Sequence, residues 1–238
     1  MPATVSRSGS HLSTPSPTVC AEKIRVYPRG IDIERFNPRH RNGFFKRWQV
    51  AEAVTKLIYV GRVSKEKNLH LLSDAFRQLV QAVPGVMLTV VGDGPYLDEM
   101  VRATAGLPCV FTGRLEGDDL TAAYASSDIF VFPSTTDTFG NVVLEAQASG
   151  LPVIVTDQGG PAENIIADRT GLVVKGDCVR SLRDAMAALT ANARRRTEMG
   201  RAARDYMENR SFEAAFDETW KMFGSVNSEK QAAGAVAT

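Results

Sequence analysis

Leu57-Ile-Tyr-Val60 is a short apolar run that stops at Gly61-Arg62. An amphipathic segment over residues 68–82 follows it, and then a second apolar run, residues 86–91, that stops at Gly92-Asp-Gly-Pro95. Apolar runs of this length bounded by glycine read as buried strands, and the segment between them has the period of a helix. The same alternation continues outward through residues 96–105, 110–111 with 120–125, 129–132 with 142–149, 153–156 with 161–166, and 172–174 with 179–189. Strand and helix in regular succession predict a doubly wound, Rossmann-like α/β domain, a parallel sheet with helices on both faces. Ligands of such sheets lie beyond the carboxyl ends of the strands. Gly61-Arg62, Gly92-Asp-Gly-Pro95, Gly113-Arg114, the loop from Pro133 to Asp137 and the loop from Thr156 to Gly160 all follow strands, so they are expected on one rim.

The bulk properties bound the function. At 238 residues the chain is long enough for a substantial core, and 44% hydrophobic with 23% charged residues is ordinary for a globular protein. A formal net charge of +1 gives no overall field for a polyanion, so nucleic acid is not an expected partner. Cys20, Cys109 and Cys178 are too widely spaced to form a metal or redox motif, which suits a reducing compartment. With no apolar run of membrane-spanning length and no secretion signal, the expected location is the cytoplasm; peripheral contact with a membrane, through an acceptor, stays open.

On the predicted ligand rim, Pro133-Ser-Thr-Thr-Asp-Thr-Phe-Gly-Asn-Val-Val-Leu-Glu-Ala-Gln-Ala-Ser-Gly150 carries two carboxylates, Asp137 and Glu145, with seven residues between them. A helix is expected to begin near Gly140. Its first amides and its macrodipole favour an anion there, and glycine allows close approach. Asn141 and Glu145 are four apart and share a face, so Glu145 sits behind the anion site while Asp137 approaches from the loop. The pattern suits a nucleotide sugar, with diphosphate on the amides, ribose on Glu145 and hexose near Asp137; on spacing alone it is also compatible with a solvated helix bearing two acids. Arg62 and Lys67, in Gly61-Arg-Val-Ser-Lys-Glu-Lys67, add a guanidinium fork and a point charge able to neutralise a diphosphate without a metal. Taken alone, that stretch is simply a basic turn. Gly92 and Gly94 stand in a glycine-rich loop that lacks the full dinucleotide fingerprint, which disfavours a nicotinamide or flavin cofactor. The second glycine-rich turn, Thr156 to Glu163, either lines the nucleotide side or merely connects strand to helix. His11, His40 and His70 belong to none of these loops, so neither histidine catalysis nor a metal site is expected.

In order and spacing, Tyr27-Pro-Arg-Gly-Ile-Asp32, Gly61-Arg62 with Glu66-Lys67-Asn68, Gly92-Asp-Gly-Pro95, Phe111-Thr-Gly113, Phe132-Pro-Ser134 and Thr138-Phe-Gly-Asn-Val-Val-Leu-Glu145-Ala resemble the donor-binding lobe of family 4 retaining glycosyltransferases of the two-lobed GT-B fold. Among branches, the sequence looks most like the mannosyltransferase and sulfoquinovosyltransferase-like members. The resemblance implies transfer of a hexose from a nucleoside-diphosphate sugar with retention and with neither metal nor cofactor. Arg62 and Lys67 would hold the diphosphate, the amides from Phe139 to Val142 would assist, Glu145 would bind ribose and Asp137 would face the hexose. Gly61, Gly92, Gly94, Arg114, Thr138, Phe139, Gly140, Asn141 and Val142 complete the expected donor-binding set. The family usually carries two glutamates at this spacing, whereas the first is an aspartate here, one methylene shorter.

Such enzymes also possess an amino-terminal lobe that binds the acceptor, and nothing before Ile24 could build one, so the chain is expected to be one lobe working with another. Residues 1–22, rich in Ser, Thr and Pro, are expected to form a disordered or remnant arm, residues 23–210 the nucleotide-sugar lobe and residues 211–226 an aromatic helix. Residues 227–238 are expected to be loose. Phe44-Phe-Lys-Arg-Trp48 is expected as a short helix with its aromatics packed inward and its charges in water. Phe212, Phe216, Trp220 and Phe223 form one apolar stripe, read either as an interface or as packing on the parent sheet. A noncatalytic sugar-nucleotide-binding module and a sugar-nucleotide epimerase of the same architecture stay open. A phosphorylase would need a pyridoxal-phosphate lysine, for which no loop is suited.

Overall fold

The computed structural model describes residues 4–6, 25–27 and 29–235. Six parallel strands form the main sheet: β3 (Thr55–Val60), β4 (Val86–Val91), β5 (Cys109–Gly113), β6 (Ile129–Phe132), β7 (Val153–Thr156) and β8 (Gly171–Val174). Their order across the sheet is β5-β4-β3-β6-β7-β8. The chain therefore winds outward from β3 through β4 to β5, returns to lay β6 beside β3, and winds outward the other way. Leu57 and Ile58 pair with Ile129 and Phe130 at this reversal. The predicted doubly wound sheet is thus observed.

Between the strands run α1 (Leu69–Ala82), α2 (Leu97–Ala103), α3 (Gly117–Ser126), α4 (Asn141–Ala148), α5 (Val179–Ala191) and α6 (Ala193–Glu208). Right-handed crossovers put α1 and α2 on one face and α4 on the other. α1 packs against α5, and α4 against α6. Strands β3, β4, β6 and β7 are buried at every residue, as strands covered on both faces must be. The segment from residue 161 to 166, expected as a helix, is only a short 3-10 turn, Gly160–Asn164. It starts against the backbone of Thr138, where a Cβ on Gly160 would meet a carbonyl oxygen, and it ends at Ile165, whose backbone is extended. Phe44–Trp48 is also a 3-10 turn, with Phe44 and Phe45 buried and Lys46 and Arg47 exposed, as expected.

Outside the main sheet, β1 (Thr4–Ser6) pairs in parallel with β2 (Arg25–Tyr27). Three residues of the expected arm are therefore strand, because backbone pairing needs no apolar period; the rest of residues 1–22 lies outside the described residues. At the other end α7 (Phe212–Ala235) continues past residue 226, so residues 227–235 are helical rather than loose, in keeping with good helix formers such as Glu229, Lys230 and Gln231. Ile31 and Ser211 form a bridge, placing the loop before the sheet beside the start of α7. Phe212, Phe216, Trp220 and Phe223 are each more than half exposed, so the stripe does not pack on the parent sheet. Cys109 and Cys178 are free, and burial pushes the Cys109 thiol up to about 12; Cys20 lies outside the described residues. Among the described residues no helix is long and apolar enough to cross a membrane.

A row of aromatic rings fills the core beneath the reversal. Tyr59 on β3 stacks on Phe132, Phe132 on Phe130, and Phe130 meets Tyr124 of α3, at centroid spacings of 6.0, 6.0 and 5.9 Å. Phe130 is fully buried. Phe130→Ala should cost about 3–5 kcal/mol of stability, read as a lowered midpoint in urea denaturation.

Candidate functional site

The sheet reversal opens a crevice between the carboxyl ends of β3 and β6, and the loops that leave those two strands are bonded across it. Lys67 Nζ lies 2.8 Å from both Asp137 oxygens. Thr136 Oγ1 donates to the Glu66 carbonyl at 3.1 Å, and Asn68 Nδ2 donates to Thr135 Oγ1 at 3.1 Å. The predicted basic turn and the predicted acidic loop thus meet at the reversal, the place where open α/β sheets take ligands.

Sequence explains the local shape of both loops. Asn68 adopts a left-handed conformation (φ 55°), a state that asparagine tolerates, and this lets the 3-10 turn Lys65–Lys67 end and α1 begin. Gly140 (φ 77°) is the residue before α4, and its conformation turns the first amides of that helix toward the loop. Glycine is also required at position 92, where φ is +137° and a Cβ would overlap the Gly61 carbonyl oxygen. The loops after β3 and β4 can approach each other only through that missing side chain.

Glu145 occupies a different environment. Its Oε2 accepts a hydrogen bond from the Tyr124 hydroxyl at 2.9 Å. Burial raises the Glu145 carboxyl above its usual range, while that hydrogen bond and the charge of Arg35 oppose the shift. Tyr124 is pushed well up by its own burial and then by Glu145, so it remains a phenol that donates. At the other end of the aromatic row the Tyr59 hydroxyl donates to the Arg62 carbonyl at 2.8 Å. Burial, then the charges of Asp137 and Glu66, raise that phenol as well. One buried row of rings therefore holds both the backbone of the basic turn and the carboxylate on α4.

The expected site residues fall into two openings. Gly61, Arg62, Gly92 and Arg114 line a groove of about 480 Å³, with Arg62 and Arg114 exposed and Arg114 ion-paired to Glu116 at 2.7 Å. Asn141 and Glu145 line a larger cavity of about 620 Å³. Lys67 and Asp137 stand on the loops between the strands that carry these openings. Gly94 packs against the Val63 carbonyl. Thr138 is exposed, Val142 is half-buried, and Phe139 is buried with its carbonyl accepting from Asn164. Among the described residues no group of three or more His, Cys, Asp or Glu side chains converges.

Sequence reasoning passed over several members of this site. Arg29 sits 4.8 Å above the Phe139 ring, its guanidinium 3.4 Å from Asn141 Oδ1, and so brings a further cation to the amino end of α4. Arg29, Asp32 and Arg35 line the larger cavity together with Phe212 and Phe216 of α7. In sequence Arg29-Gly30 belongs to one of the stretches that carry the family resemblance, but nothing local relates it to a helix more than a hundred residues away. Tyr124 has no local signal either, because its place facing Glu145 follows from how α3 and α4 cover the same face.

Residues 41–206 match the family model described as glycosyl transferases group 1, and the chain belongs to that family. It is 39% identical over 204 residues to sulfoquinovosyl transferase SQD2 of Arabidopsis thaliana, covering 82% of this chain and 38% of that protein. It is 38% identical over 187 residues to a GDP-mannose-dependent alpha-mannosyltransferase of Mycobacterium tuberculosis, covering 76% of this chain and 48% of the relative. The chain thus spans about half, or less, of these relatives' length. Among solved structures, HepE of Anabaena in complex with UDP superposes with a TM-score of 0.77 at 22% identity, over 87% of this chain and 59% of HepE. The C-terminal domain of the group 1 glycosyl transferase LpcC of Francisella tularensis superposes with a TM-score of 0.67 at 22% identity, over 76% of this chain and 97% of that domain. The six-stranded Rossmann-like fold matches these GT-B glycosyltransferase structures over the part that the chain covers.

The raised carboxyl of Glu145 carries a consequence for stability. The unfolded glutamate ionises in the ordinary carboxylate range while the folded one still holds its proton, so folding is penalised as pH rises through that interval. Glu145→Gln, which cannot ionise and still accepts from Tyr124, should therefore melt with the parent at about pH 4 and above it at about pH 8. Thermal melts of both proteins across that range check the sign.

Proposed function

We propose that this chain is the donor-binding half of a glycosyltransferase that moves a hexose from a nucleoside-diphosphate sugar to an acceptor with retention of configuration. The observation that carries this reading is the bonded meeting of the Arg62–Lys67 turn with the loop that leads into α4, at the reversal of the sheet. Arg62 and Lys67 receive the diphosphate together with the amino-terminal amides of α4, Glu145 takes the ribose hydroxyls and Asp137 the hexose. Family membership supports the assignment, as does the naming of relatives for transfer of mannose from GDP-mannose and of sulfoquinovose, and so does the presence of UDP in the HepE structure.

The chemistry asked of the site is stabilisation of a leaving group. As the bond from the anomeric carbon to the diphosphate breaks, negative charge grows on the diphosphate oxygens. Cations and amides already aimed at that position lower the barrier because they need not reorganise. Fixed positive charge from Arg62, Lys67 and the helix does here what a metal does elsewhere, and no cofactor takes part. The acceptor hydroxyl attacks from the face the diphosphate leaves, which gives retention.

A second lobe contributes the acceptor site in this reading. The relatives are about twice as long as the matched region, and α7 presents an uncovered aromatic stripe beside the cavity that holds Glu145. An apolar surface of this kind fits a neighbouring lobe whose closure excludes water from the donor.

Calorimetric titration of the chain with UDP, GDP and ADP should detect one preferred nucleotide. Arg62→Ala should weaken its binding roughly tenfold or more, the loss of a charge-assisted hydrogen bond worth about 1.5–3 kcal/mol. Glu145→Ala should weaken it as well. Binding to none of the three, or binding indifferent to both substitutions, defeats the donor assignment. Donor hydrolysis assayed with the chain alone, and then with an added acceptor lobe, should give turnover only in the second case; absence of turnover in both favours a noncatalytic binding module.

A further inference from the structure

Lys67 enters the proposed donor site already occupied. Both oxygens of Asp137 lie 2.8 Å from its ammonium, and the two side chains are only 19% and 21% exposed. An ammonium has three donors, and a carboxylate held in this way engages it on two sides. Neither partner is loosely mounted. The Lys67 amide donates to Ser64 O at 3.1 Å, the Asp137 carbonyl accepts from the Gly160 amide at 2.8 Å, and Thr136 is tied to Glu66. The backbones are pinned, so the pair can open only by rotation of side chains. Of the other cations near this turn, Lys65 is paired with Glu99 and Arg62 faces Glu66, which adds a further negative charge beside Lys67.

A diphosphate reaching Lys67 must therefore share the ammonium with a carboxylate or displace it, and two anions at such a distance in a partly buried crevice repel each other. What the displaced Asp137 finds next depends on the ligand. If a hexose is attached to the diphosphate, its hydroxyls donate to the carboxylate and replace what was given up at Lys67. If the sugar has gone, nothing replaces it. Resting on the donor assignment above, we propose that Asp137 is a specificity-determining residue that sets the preference for the sugar-loaded donor over the free nucleoside diphosphate, by competing for Lys67 whenever no sugar engages it. After transfer Asp137 returns to the ammonium and speeds release of the nucleoside diphosphate. The short aspartate stem suits this exchange, since it already spans the distance to Lys67 with both oxygens.

The test is calorimetric titration of the 238-residue chain and of Asp137→Asn with UDP, GDP, UDP-glucose and GDP-mannose, after thermal melts have verified that the variant is folded; Asp137→Ser serves as a second variant. Asp137→Asn should bind the free nucleoside diphosphate at least about fivefold more tightly than the parent, a gain of about 1 kcal/mol. It should not bind the sugar nucleotide more tightly, so the ratio of the two affinities falls by the same factor. An unchanged or weakened affinity for the free diphosphate overturns the proposal. So does an equal gain for both ligands, which would show only the removal of a negative charge. If neither parent nor variant binds any of the four compounds, the donor assignment itself fails, and that result is distinct from binding that is present and insensitive to Asp137.

Discussion

The pairing of β3 with β6 is the constraint on which the rest of this structure depends. It joins two halves of the sheet that wind in opposite directions, and it is made by few residues, Leu57 and Ile58 with Ile129 and Phe130. Backbone hydrogen bonds alone would leave such a short contact weakly placed. The buried aromatic row Tyr59, Phe132, Phe130 and Tyr124 ties the two strands and α3 together over the same region. Tyr59 and Tyr124 each turn a polar tip outward from that row, one to the backbone of Arg62 and the other to Glu145. Buried tyrosines need partners for their hydroxyls, and here the partners belong to the ligand rim. Packing and site construction are thus the same set of contacts.

The two rims of the sheet handle charge in opposite ways. On the rim where strands begin and helices end, arginines cap helix carbonyls. Arg41 donates to Ala125 O and Ser127 O at the end of α3, Arg204 to Ala148 O at the end of α4, and Arg196 to Leu189 O and Thr190 O at the end of α5. Those guanidiniums are absorbed by the negative ends of helices. A cleft of about 410 Å³ on this rim is lined by Arg41, Arg196 and Arg204, yet its charge is largely answered by the fold itself. On the opposite rim helices present their positive ends, and Arg29 and Lys67 add cations there, with Arg62 and Arg114 exposed beside them. The sheet therefore carries an anion-attracting edge and a neutralised one, an asymmetry that follows from all strands running in one direction.

Within the attracting edge, glycine decides how near the loops come. Gly92 against the Gly61 carbonyl, Gly94 against the Val63 carbonyl and Gly160 against the Thr138 carbonyl are contacts that no side chain could enter. They draw the loops after β3, β4, β6 and β7 into one layer, so side chains from distant parts of the chain lie within reach of a single small ligand. Glu145 is partly buried in the wall of the larger cavity and is held by a phenol, and its burial costs stability when it ionises. A buried acid kept at that cost is the pattern expected of a group retained for binding rather than for folding.

The class of fold and most of the rim can be read from the order of residues alone. Strand and helix periods are local, and runs such as Leu57 to Val60 and Val86 to Val91 were legible because burial on both faces forces near-continuous apolar residues. Glycine at loop positions and the spacing of Asp137 and Glu145 were legible for the same reason: each is a requirement imposed within a few residues. Which of these local features meet is set by long-range packing. The ion pair of Lys67 with Asp137, the bond of Tyr124 to Glu145 and the reach of Arg29 to Asn141 join residues far apart in the chain, and the exposure of the stripe on α7 depends on what the rest of the fold leaves uncovered. Side chains brought together by sheet order and crossover handedness leave no periodic trace, because periodicity records a residue's own face and not what is packed against it.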